Sequence, residues 1–241
     1  MVAGPRFAIY FVPAAASALY RFGAAVLGYD CYTGEPVARP REIGLTDAAW
    51  AALTAEPRTY GFHATLKAPF RLAAGKSLHD LRHAVAALAA RHRDFEMPPL
   101  EVAWLHDFVA LRPVPALDSA HPLRQLADAC VSELDAFRAP APPGEQARRA
   151  AEIDGDVSGL AMLARWGYAH VFEGWRFHMT LSDRFDDRSS PEARQFEHDA
   201  RAWFSRSLAQ PLHGTALSIF HEASAGDPFR MTERFPLGSP A

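Results

Sequence analysis

The sequence predicts an α+β fold built from duplicated antiparallel sheets, and two observations carry this prediction. A strand-like phrase occurs twice, at residues 60–66 and 175–181, and each copy contains a His-x-Thr-Leu run. A helical pattern and then a hairpin pattern follow each copy in the same order. Tight turns join the hairpin strands, so neighbouring strands are expected to run antiparallel, with helices on their flanks.

The repeat extends beyond the short phrase. Residues 115 positions apart are identical at several places. The identical pairs are Phe62 and Phe177, His63 and His178, Thr65 and Thr180, Leu66 and Leu181, Phe70 and Phe185, and His106 and His221. Self-similarity at this long period predicts two lobes with pseudo-twofold symmetry rather than a solenoid. We expect one bilobal domain over residues 1–241, with lobes of roughly 1–140 and 141–241, with or without exchange of strands.

The elements of the first half follow from local patterns. Thr46 and Ser77 are N-cap residues, and apolar side chains after Ser77 recur at helical spacing. Clustered prolines at 140, 142 and 143 break the chain. The predicted elements are a strand at 6–12, turns at 32–34 and 38–40, a helix at 47–55, the motif strand at 61–70, a helix from 77 to 91, a hairpin of 100–105 and 108–111, and a helix at 121–137.

The second half repeats the order in modified form. Pro191 is typical of a first helical position, and Gly226-Asp227-Pro228 is typical of a turn. The predicted elements are a helix at 145–166, the second motif strand at 176–185, a helix from Pro191 to about 207, and a closing hairpin of 215–221 and 229–235.

Composition and charge narrow the function. The chain has 241 residues, 49% of them hydrophobic, and a net charge of −3, so it lacks the basic surplus that long nucleic-acid duplexes require. A small anionic ligand or a nucleic-acid end fits better. Cys31 and Cys130 lack metal or disulfide spacing and are expected to be reduced, so we predict neither a metal nor a cofactor.

The N-terminus imitates a secretory signal, but its apolar run is short and Pro13 interrupts it, which favours a strand. No stretch approaches the roughly 20 apolar residues of a membrane span. We therefore expect a cytoplasmic protein without a membrane partner.

The duplicated phrase carries the chemistry. Side chains alternate along a strand, so His63 and Thr65 share one face, as His178 and Thr180 do. Two facing strands would supply a general base, a general acid and two hydroxyl donors around one oxyanion. This equipment is sufficient to open a phosphodiester without a metal ion. The sequence therefore predicts His63 and His178 as catalytic residues and Thr65 and Thr180 as phosphate-binding residues.

These phrases resemble the paired signatures of the two-histidine (2H) phosphoesterase superfamily, which includes RNA 2′,3′-cyclic phosphodiesterases. The resembling phrases are Phe62-His63-Ala64-Thr65-Leu66 and Phe177-His178-Met179-Thr180-Leu181. Further segments resemble a branch whose genes accompany phosphonate-utilisation operons. These segments are Arg6-Phe7-Ala8-Ile9-Tyr10, Tyr60 to Phe70, Phe137-Arg138-Ala139-Pro140 and Trp166-Gly167-Tyr168. The resemblance implies a bilobal fold with a cleft between the lobes, into which both histidines project.

The resemblance implies that the substrate is a small cyclic phosphate, such as a cyclic ribose phosphate or nucleotide of phosphonate metabolism. It also assigns substrate-binding roles to Tyr10, Arg138 and Tyr168. From the residues themselves, Lys67 lies two positions beyond Thr65 and Arg176 two before His178, so both are candidate phosphate ligands. Alternatively, Lys67 lies at the end of a sheet and reaches solvent, and the aromatic residues lie in the core.

Five further histidines are predicted to be structural or solvated. No hydroxyl or cation recurs beside His106 and His221, which favours a structural role. His79, His83 and His92 fall on the polar side of a helix, and no third ligand accompanies them for a metal.

Two other functions stay open at this stage. The chain is alternatively an RNA-end cyclic phosphodiesterase or ligase, provided that a basic track of Arg39, Arg41, Arg58, Arg148 and Arg149 gathers in space. The second alternative is a non-catalytic protein that binds a phosphorylated metabolite. The partners expected are thus a small phosphorylated substrate or an RNA end, with no obligate protein partner.

Overall fold

The computed structural model describes residues 4–40, 44–153 and 155–238. Its strands are β1 Arg6–Phe11, β2 Tyr29–Asp30, β3 Glu35–Pro36, β4 Ala64–Phe70, β5 Phe95–Glu96, β6 Leu100–Leu105, β7 Phe108–Pro113, β8 Met179–Thr180, β9 His213–Gly214, β10 Ala216–Glu222 and β11 Arg230–Pro236. Its helices are α1 Ala18–Leu27, α2 Asp47–Ala52, α3 Ala55–Tyr60, α4 Leu78–Arg91, α5 Pro122–Glu133, α6 Pro143–Ala151, α7 Val157–Trp166 and α8 Pro191–Leu208. Short 3₁₀ helices cover Asp135–Phe137 and Phe172–Gly174.

The order of elements confirms the repeat that the sequence predicts. β4, α4 and the β6–β7 hairpin recur as β8, α8 and the β10–β11 hairpin. The strand pairs are antiparallel, and helices flank the sheets, as expected of an α+β protein.

Two larger sheets carry the duplicated phrases. A four-stranded sheet has the order β11-β10-β1-β4, and a three-stranded sheet has the order β6-β7-β8. The first phrase therefore ends in the edge strand of one sheet and the second phrase in the edge strand of the other. Each sheet combines strands from both sides of residue 140.

Hydrophobic burial fixes the four-stranded sheet. β1 lies inside it, and the residues that follow Arg6 in this strand are almost fully buried, which suits their hydrophobic sequence. α5 packs against β4, and α4 packs against β10 and β11. Ser77 and Asp80 form a capping box at the start of α4, so the cap predicted at Ser77 is confirmed.

The two duplicated phrases also contact each other directly. The Trp175 indole Nε1 donates to the Thr65 carbonyl oxygen over 2.9 Å. The Phe177 and Phe11 rings lie 6.1 Å apart, centroid to centroid. The sheets thus meet at their motif strands.

Two element predictions were wrong in part, and one helix was missed. The helix predicted at 145–166 is two helices, α6 and α7. Gly155 adopts a left-handed φ of +70°, and Asp156 caps α7 by accepting from the Ser158 amide, so the first helix cannot continue into the second. Residue 154 lies outside the described residues. The second motif strand is only Met179–Thr180, since the amides of Leu181 and Ser182 both bond to the Val109 carbonyl and leave the ladder. Helix α1, which Ser17 caps, was not predicted at all.

Candidate active site

The first phrase holds its histidine in a defined orientation. The His63 Nδ1 atom lies 2.8 Å from the Gly61 carbonyl oxygen, and its Nε2 atom lies 3.2 Å from Thr65 Oγ1. The Tyr10 ring stacks on the imidazole at a centroid distance of 3.7 Å. Gly61 adopts a φ of +74°, and a Cβ there would stand 2.7 Å from Cys31 Cβ, so glycine is required beside the histidine.

The second phrase repeats this arrangement. The His178 Nδ1 atom lies 2.8 Å from the Arg176 carbonyl oxygen, again two residues earlier in the chain. His178 directly precedes β8, and strand alternation places it on the same face as Thr180. Both anchors are backbone carbonyl groups rather than side chains.

The anchors fix the tautomer of both rings. A carbonyl oxygen only accepts hydrogen bonds, so each Nδ1 carries the hydrogen. In the neutral ring Nε2 is then the atom with the free lone pair. Each imidazole therefore presents the nitrogen that accepts or delivers a proton.

A cavity of about 530 Å³ lies between the motif strands and α6–α7. Its lining is polar and contains four arginines and three tyrosines. The lining side chains include Arg6, Tyr10, Tyr60, His63, Thr65, Arg148, Arg149, Tyr168, His170, Thr180 and Arg184, together with Glu56 and Glu152. The volume suits a small metabolite rather than a bare phosphate.

The structure thus gathers His63, Thr65, Thr180, Tyr10 and Tyr168 around one cavity. The His178 ring is not part of the lining, and it faces Phe108 at a centroid distance of 5.7 Å. It nevertheless lies close enough to His63 for its charge to lower the pKa of His63. The second phrase therefore reaches the cavity through Thr180, with His178 adjacent to it.

Burial favours the neutral form of both imidazoles. Burial lowers the pKa of His63 to about 4, against the opposing effect of its bond to Gly61. Burial also lowers the pKa of His178, and the charges of His170 and His106 lower it further. A bound phosphate would favour the imidazolium form, because an opposite charge nearby stabilises it.

The cavity tyrosines are neutral hydrogen-bond donors. Burial raises the pKa of Tyr10 well above its ordinary value, and it also raises the pKa of Tyr168 and of Tyr60. Uncharged hydroxyl groups suit contacts with an anion, since they add no repulsion.

The prediction that Lys67 shares the face of Thr65 is wrong. Tyr10 pairs with Thr65 but Ile9 pairs with Lys67, so β4 carries an extra residue at Leu66 and the alternation is broken. Lys67 is buried, and its Nζ donates to the Val131 carbonyl over 3.1 Å on the α5 side. It does not line the main cavity but a small adjoining pocket, which shares Tyr168 with that cavity.

Two further predicted ligands also lie outside the main cavity. Arg176 is exposed and donates to the Glu173 and Trp175 carbonyls. Arg138 pairs with Asp135 over 2.7 Å and donates to the Arg165 carbonyl over 3.0 Å.

The proposed basic track does not gather at the cavity. Arg39 approaches Asp47, and Arg58 donates to the Ala51 carbonyl; neither lines the cavity, whereas Arg148 and Arg149 do. Arg41 lies outside the described residues.

Several lining residues were missed. Arg6 and Tyr60 belong to phrases that the sequence singles out, and Arg6 stands on the cavity side of β1 with Tyr10. Arg184 and His170 carry no sequence signal, because loops outside regular elements bring them to the cavity. Within the described ranges, no three His, Cys, Asp or Glu side chains are grouped to hold a metal ion. No described helix is long and apolar enough to cross a membrane.

The chain is similar to two curated proteins, both named ribose 1,5-bisphosphate phosphokinase PhnN. The protein of Laribacter hongkongensis (strain HLHK9) is 39% identical over 230 residues, which make up 94% of this chain and 50% of that protein. The protein of Janthinobacterium sp. (strain Marseille) is 36% identical over 234 residues, or 96% of this chain and 51% of that protein. The chain therefore spans about half the length of the curated relatives it matches.

Among solved structures, the crystal structure of E. coli LigT complexed with 3′-AMP aligns with a TM-score of 0.43 and 17% sequence identity. The alignment covers 98% of this chain and 100% of that one. Residues 65–230 match the model of the family described as "Protein of unknown function (DUF1045)". Because this match covers more than half of the sequence, the chain belongs to the DUF1045 family.

Proposed function

We propose that the chain is a two-histidine phosphodiesterase that hydrolyses a small cyclic phosphate without a metal ion. One observation carries the proposal. Two imidazoles in duplicated phrases share the same 2.8 Å anchor from Nδ1 to a backbone carbonyl, and both phrases supply a threonine to one cavity. We would not expect two purely structural histidines to share this anchor and to stand beside threonines that line the same cavity.

The reaction assigns one proton transfer to each imidazole. Neutral His63 accepts a proton from water at Nε2 while the water oxygen forms a bond to phosphorus. The P–O ester bond on the opposite side breaks, and His178 delivers its Nε2 proton to the leaving alkoxide. The product is a phosphomonoester with a free hydroxyl. His63 is the proposed base because burial lowers its pKa to about 4, so it is neutral at the pH of the reaction.

The threonines and tyrosines stabilise the charge that builds on phosphorus. Thr65 Oγ1 already contacts His63 Nε2 at 3.2 Å, so it lies where a bound phosphate oxygen would approach the base. Thr180 lines the same cavity from the second phrase. A hydrogen bond to a charged oxygen contributes about 1.5–3 kcal/mol.

The curated relatives are named as phosphokinases, but the residues of this chain do not favour kinase chemistry. Gly75-Lys76-Ser77 matches the end of a phosphate-binding loop, but Phe70 stands where that loop needs its first glycine. The Ser77 amide donates to Asp80 Oδ2 over 2.9 Å, so a carboxylate occupies the helix start where a phosphate would bind.

The same name supports a ribose phosphate as substrate. Both relatives are named for ribose 1,5-bisphosphate, and each contains a segment like this chain in about half its length. Hydrolysis of a 1,2-cyclic phosphate on ribose 5-phosphate would yield that bisphosphate. We therefore propose a cyclic ribose phosphate as the substrate class, in preference to an RNA end, for which the basic track does not gather.

The test is hydrolysis of cyclic ribose phosphates and 2′,3′-cyclic nucleotides by the purified chain, with the product identified by phosphorus NMR. We expect turnover that EDTA leaves unchanged. His63→Ala and His178→Ala should each lower kcat by about 100-fold or more, because each removes a general acid or base.

His198→Ala is the matched control, since His198 is an exposed histidine on α8. Undiminished hydrolysis by both the His63 and the His178 variant, or loss of activity in EDTA, would rule out the mechanism. Binding of the cyclic compound without turnover would instead favour the non-catalytic alternative.

A further inference from the structure

Three arginines line the cavity from the start of β1 and from α6. We call Arg6, Arg148 and Arg149 the arginine cluster. We propose that this cluster binds a second phosphate group on the substrate, a phosphomonoester separated from the scissile cyclic phosphate by a small organic group. This inference rests on the proposed function, because it concerns the same cavity.

Two of the arginines are held in place from behind. Arg6 forms a two-pronged ion pair with Glu222, with Nη2 and Oε1 2.7 Å apart. Arg149 donates to Glu145 over 2.7 Å and to the Gly167 carbonyl over 2.6 Å. Because these partners fix the guanidinium groups, little side-chain entropy remains to be lost when an anion binds.

The third arginine is the one best placed for a ligand. Arg148 lines the cavity from the exposed side of α6, and among the residues that the structure describes no carboxylate pairs with it. No ion pair among the described residues therefore holds its guanidinium. A guanidinium that faces a cavity without a partner suits the planar recognition of a phosphate.

The cluster lies at a distance from the proposed reaction centre. Arg6 stands four residues before Tyr10 on β1, which at the rise of a strand is about 13 Å, and Tyr10 is the residue that stacks on His63. The Tyr60 ring, which also lines the cavity, stands 6.3 Å from the His63 ring, centroid to centroid. One phosphate group cannot contact both His63 and the arginine cluster, so a ligand that contacts both carries two phosphate groups.

The remaining charges define the kind of ligand. Glu56 and Glu152 line the same cavity, so it is not uniformly positive. A polyanion such as RNA would meet these carboxylates, whereas a sugar between two phosphates offers hydroxyl groups that carboxylates accept from. The geometry therefore points to a phosphorylated sugar.

The first experiment measures binding of ribose 5-phosphate, a sugar phosphomonoester without a cyclic phosphate, by titration calorimetry. We expect Arg148→Gln to weaken its affinity by about tenfold or more, since a charge-assisted contact is lost. Arg206→Gln is the control, because it removes the same charge from an exposed site on α8. Equal affinity in the wild type and the Arg148 variant would overturn the inference.

The second experiment compares two substrates that differ by one group. These are the 1,2-cyclic phosphate of ribose 5-phosphate and the same cyclic phosphate without the 5-phosphate. We expect the wild type to prefer the first by about 100-fold in kcat/KM, and Arg148→Gln and Arg149→Gln each to reduce this ratio by about tenfold. If the Arg149 variant does not fold, the ratio measured for the variant of the exposed Arg148 decides the test.

The outcomes separate the two proposals. If neither compound is hydrolysed but ribose 5-phosphate binds through Arg148, the proposed function fails and the phosphate site stands. If both are hydrolysed equally well and Arg148→Gln keeps the same ratio, the phosphate site fails and the proposed function stands.

Discussion

His63 and His178 use the same backbone anchor, from Nδ1 to the carbonyl two residues earlier. The identity of these residues and their threonine neighbours was predictable from the repeated phrase. Their surroundings were not, because the stacking of Tyr10 on His63 depends on the pairing of β1 with β4, which join distant parts of the chain.

The pKa values of the histidines predict the pH dependence of the reaction. His63 accepts a proton only above its pKa of about 4, and His178 donates one only below its own pKa, which burial holds below its ordinary value. We expect kcat/KM to be bell-shaped, with its maximum on the acidic side of neutrality, because this parameter reports the free enzyme.

The profile of kcat should be displaced to higher pH, since bound phosphate raises the pKa of an imidazole. In His178→Gln the alkaline limb should vanish from the residual activity. An alkaline limb that persists would assign it to another cavity group such as His170, and a maximum above about pH 8 would contradict the scheme altogether.

Lys67 shows where strand alternation fails as a predictor. The extra residue in β4 turns its side chain toward Asp135 and Val131. A bulge leaves no signal in a run such as Thr-Leu-Lys-Ala-Pro, because its cause is the register with β1.

Burial lowers the pKa of Lys67 to about 8. The unfolded chain therefore binds more protons than the folded one from about pH 8 to the ordinary lysine value, and the contribution of Lys67 to stability rises with pH across that window. We expect the free energy of unfolding of the wild type, minus that of Lys67→Met, to increase by an amount on the order of 3 kcal/mol over this range.

Urea unfolding at several pH values measures this difference. Taking the difference between the two proteins cancels the opposite trend of the buried tyrosines. A difference that stays constant with pH would mean that Lys67 keeps its ordinary pKa in the folded protein. Hydrolysis by Lys67→Met within about threefold of wild type would agree with its place outside the cavity.

At the scale of elements, the end of α7 positions Tyr168. Gly167 caps the helix with a φ of +73°, and its carbonyl accepts from Arg149. A Cβ at this position would stand 2.9 Å from Arg138 Nη1. The cap thus links the predicted residues Arg138 and Tyr168, although only Tyr168 lines the main cavity.

We expect Gly167→Ala to lower the free energy of unfolding by about 1–2 kcal/mol, because alanine is strained in the left-handed region. We also expect a higher KM for the cyclic substrate, since Tyr168 and Arg149 both depend on this turn. Gly144→Ala in α6 is the control, as nothing lies within 4 Å of a Cβ there. Equal effects of the two substitutions would argue against a positioning role for the cap.

Regular elements with strong local signals were predictable, whereas those that tertiary contacts decide were not. The Ser77 cap and Pro191 mark α4 and α8 in the sequence, and both helices form. β8 is cut short because the amides after Thr180 bond to Val109 outside the ladder. No local pattern encodes that choice.

At the scale of the whole molecule, the repeat predicts two related units but not how their strands combine. The β6–β7 hairpin pairs with the motif strand of the second half, and the β10–β11 hairpin joins β1 and the motif strand of the first half. Sequence order alone does not specify this exchange, because hairpins pair equally well with either motif strand by local rules.

The exchange has a functional consequence. It places the two motif strands at the edges of different sheets, where the Trp175 indole donates to the Thr65 carbonyl across the junction. Both threonines then line a single cavity. The proposed chemistry depends on this convergence, and it requires His178 to act on the same anion as His63.

The most direct test follows the imidazole nitrogens of His63 and His178 by NMR, in protein with isotope-labelled histidine, during titration with inorganic phosphate. We expect the Nε2 signals of both residues to shift with one shared dissociation constant, while the exposed His198 does not respond. A response from only His63 or only His178, or two different dissociation constants, would contradict their convergence on one phosphate.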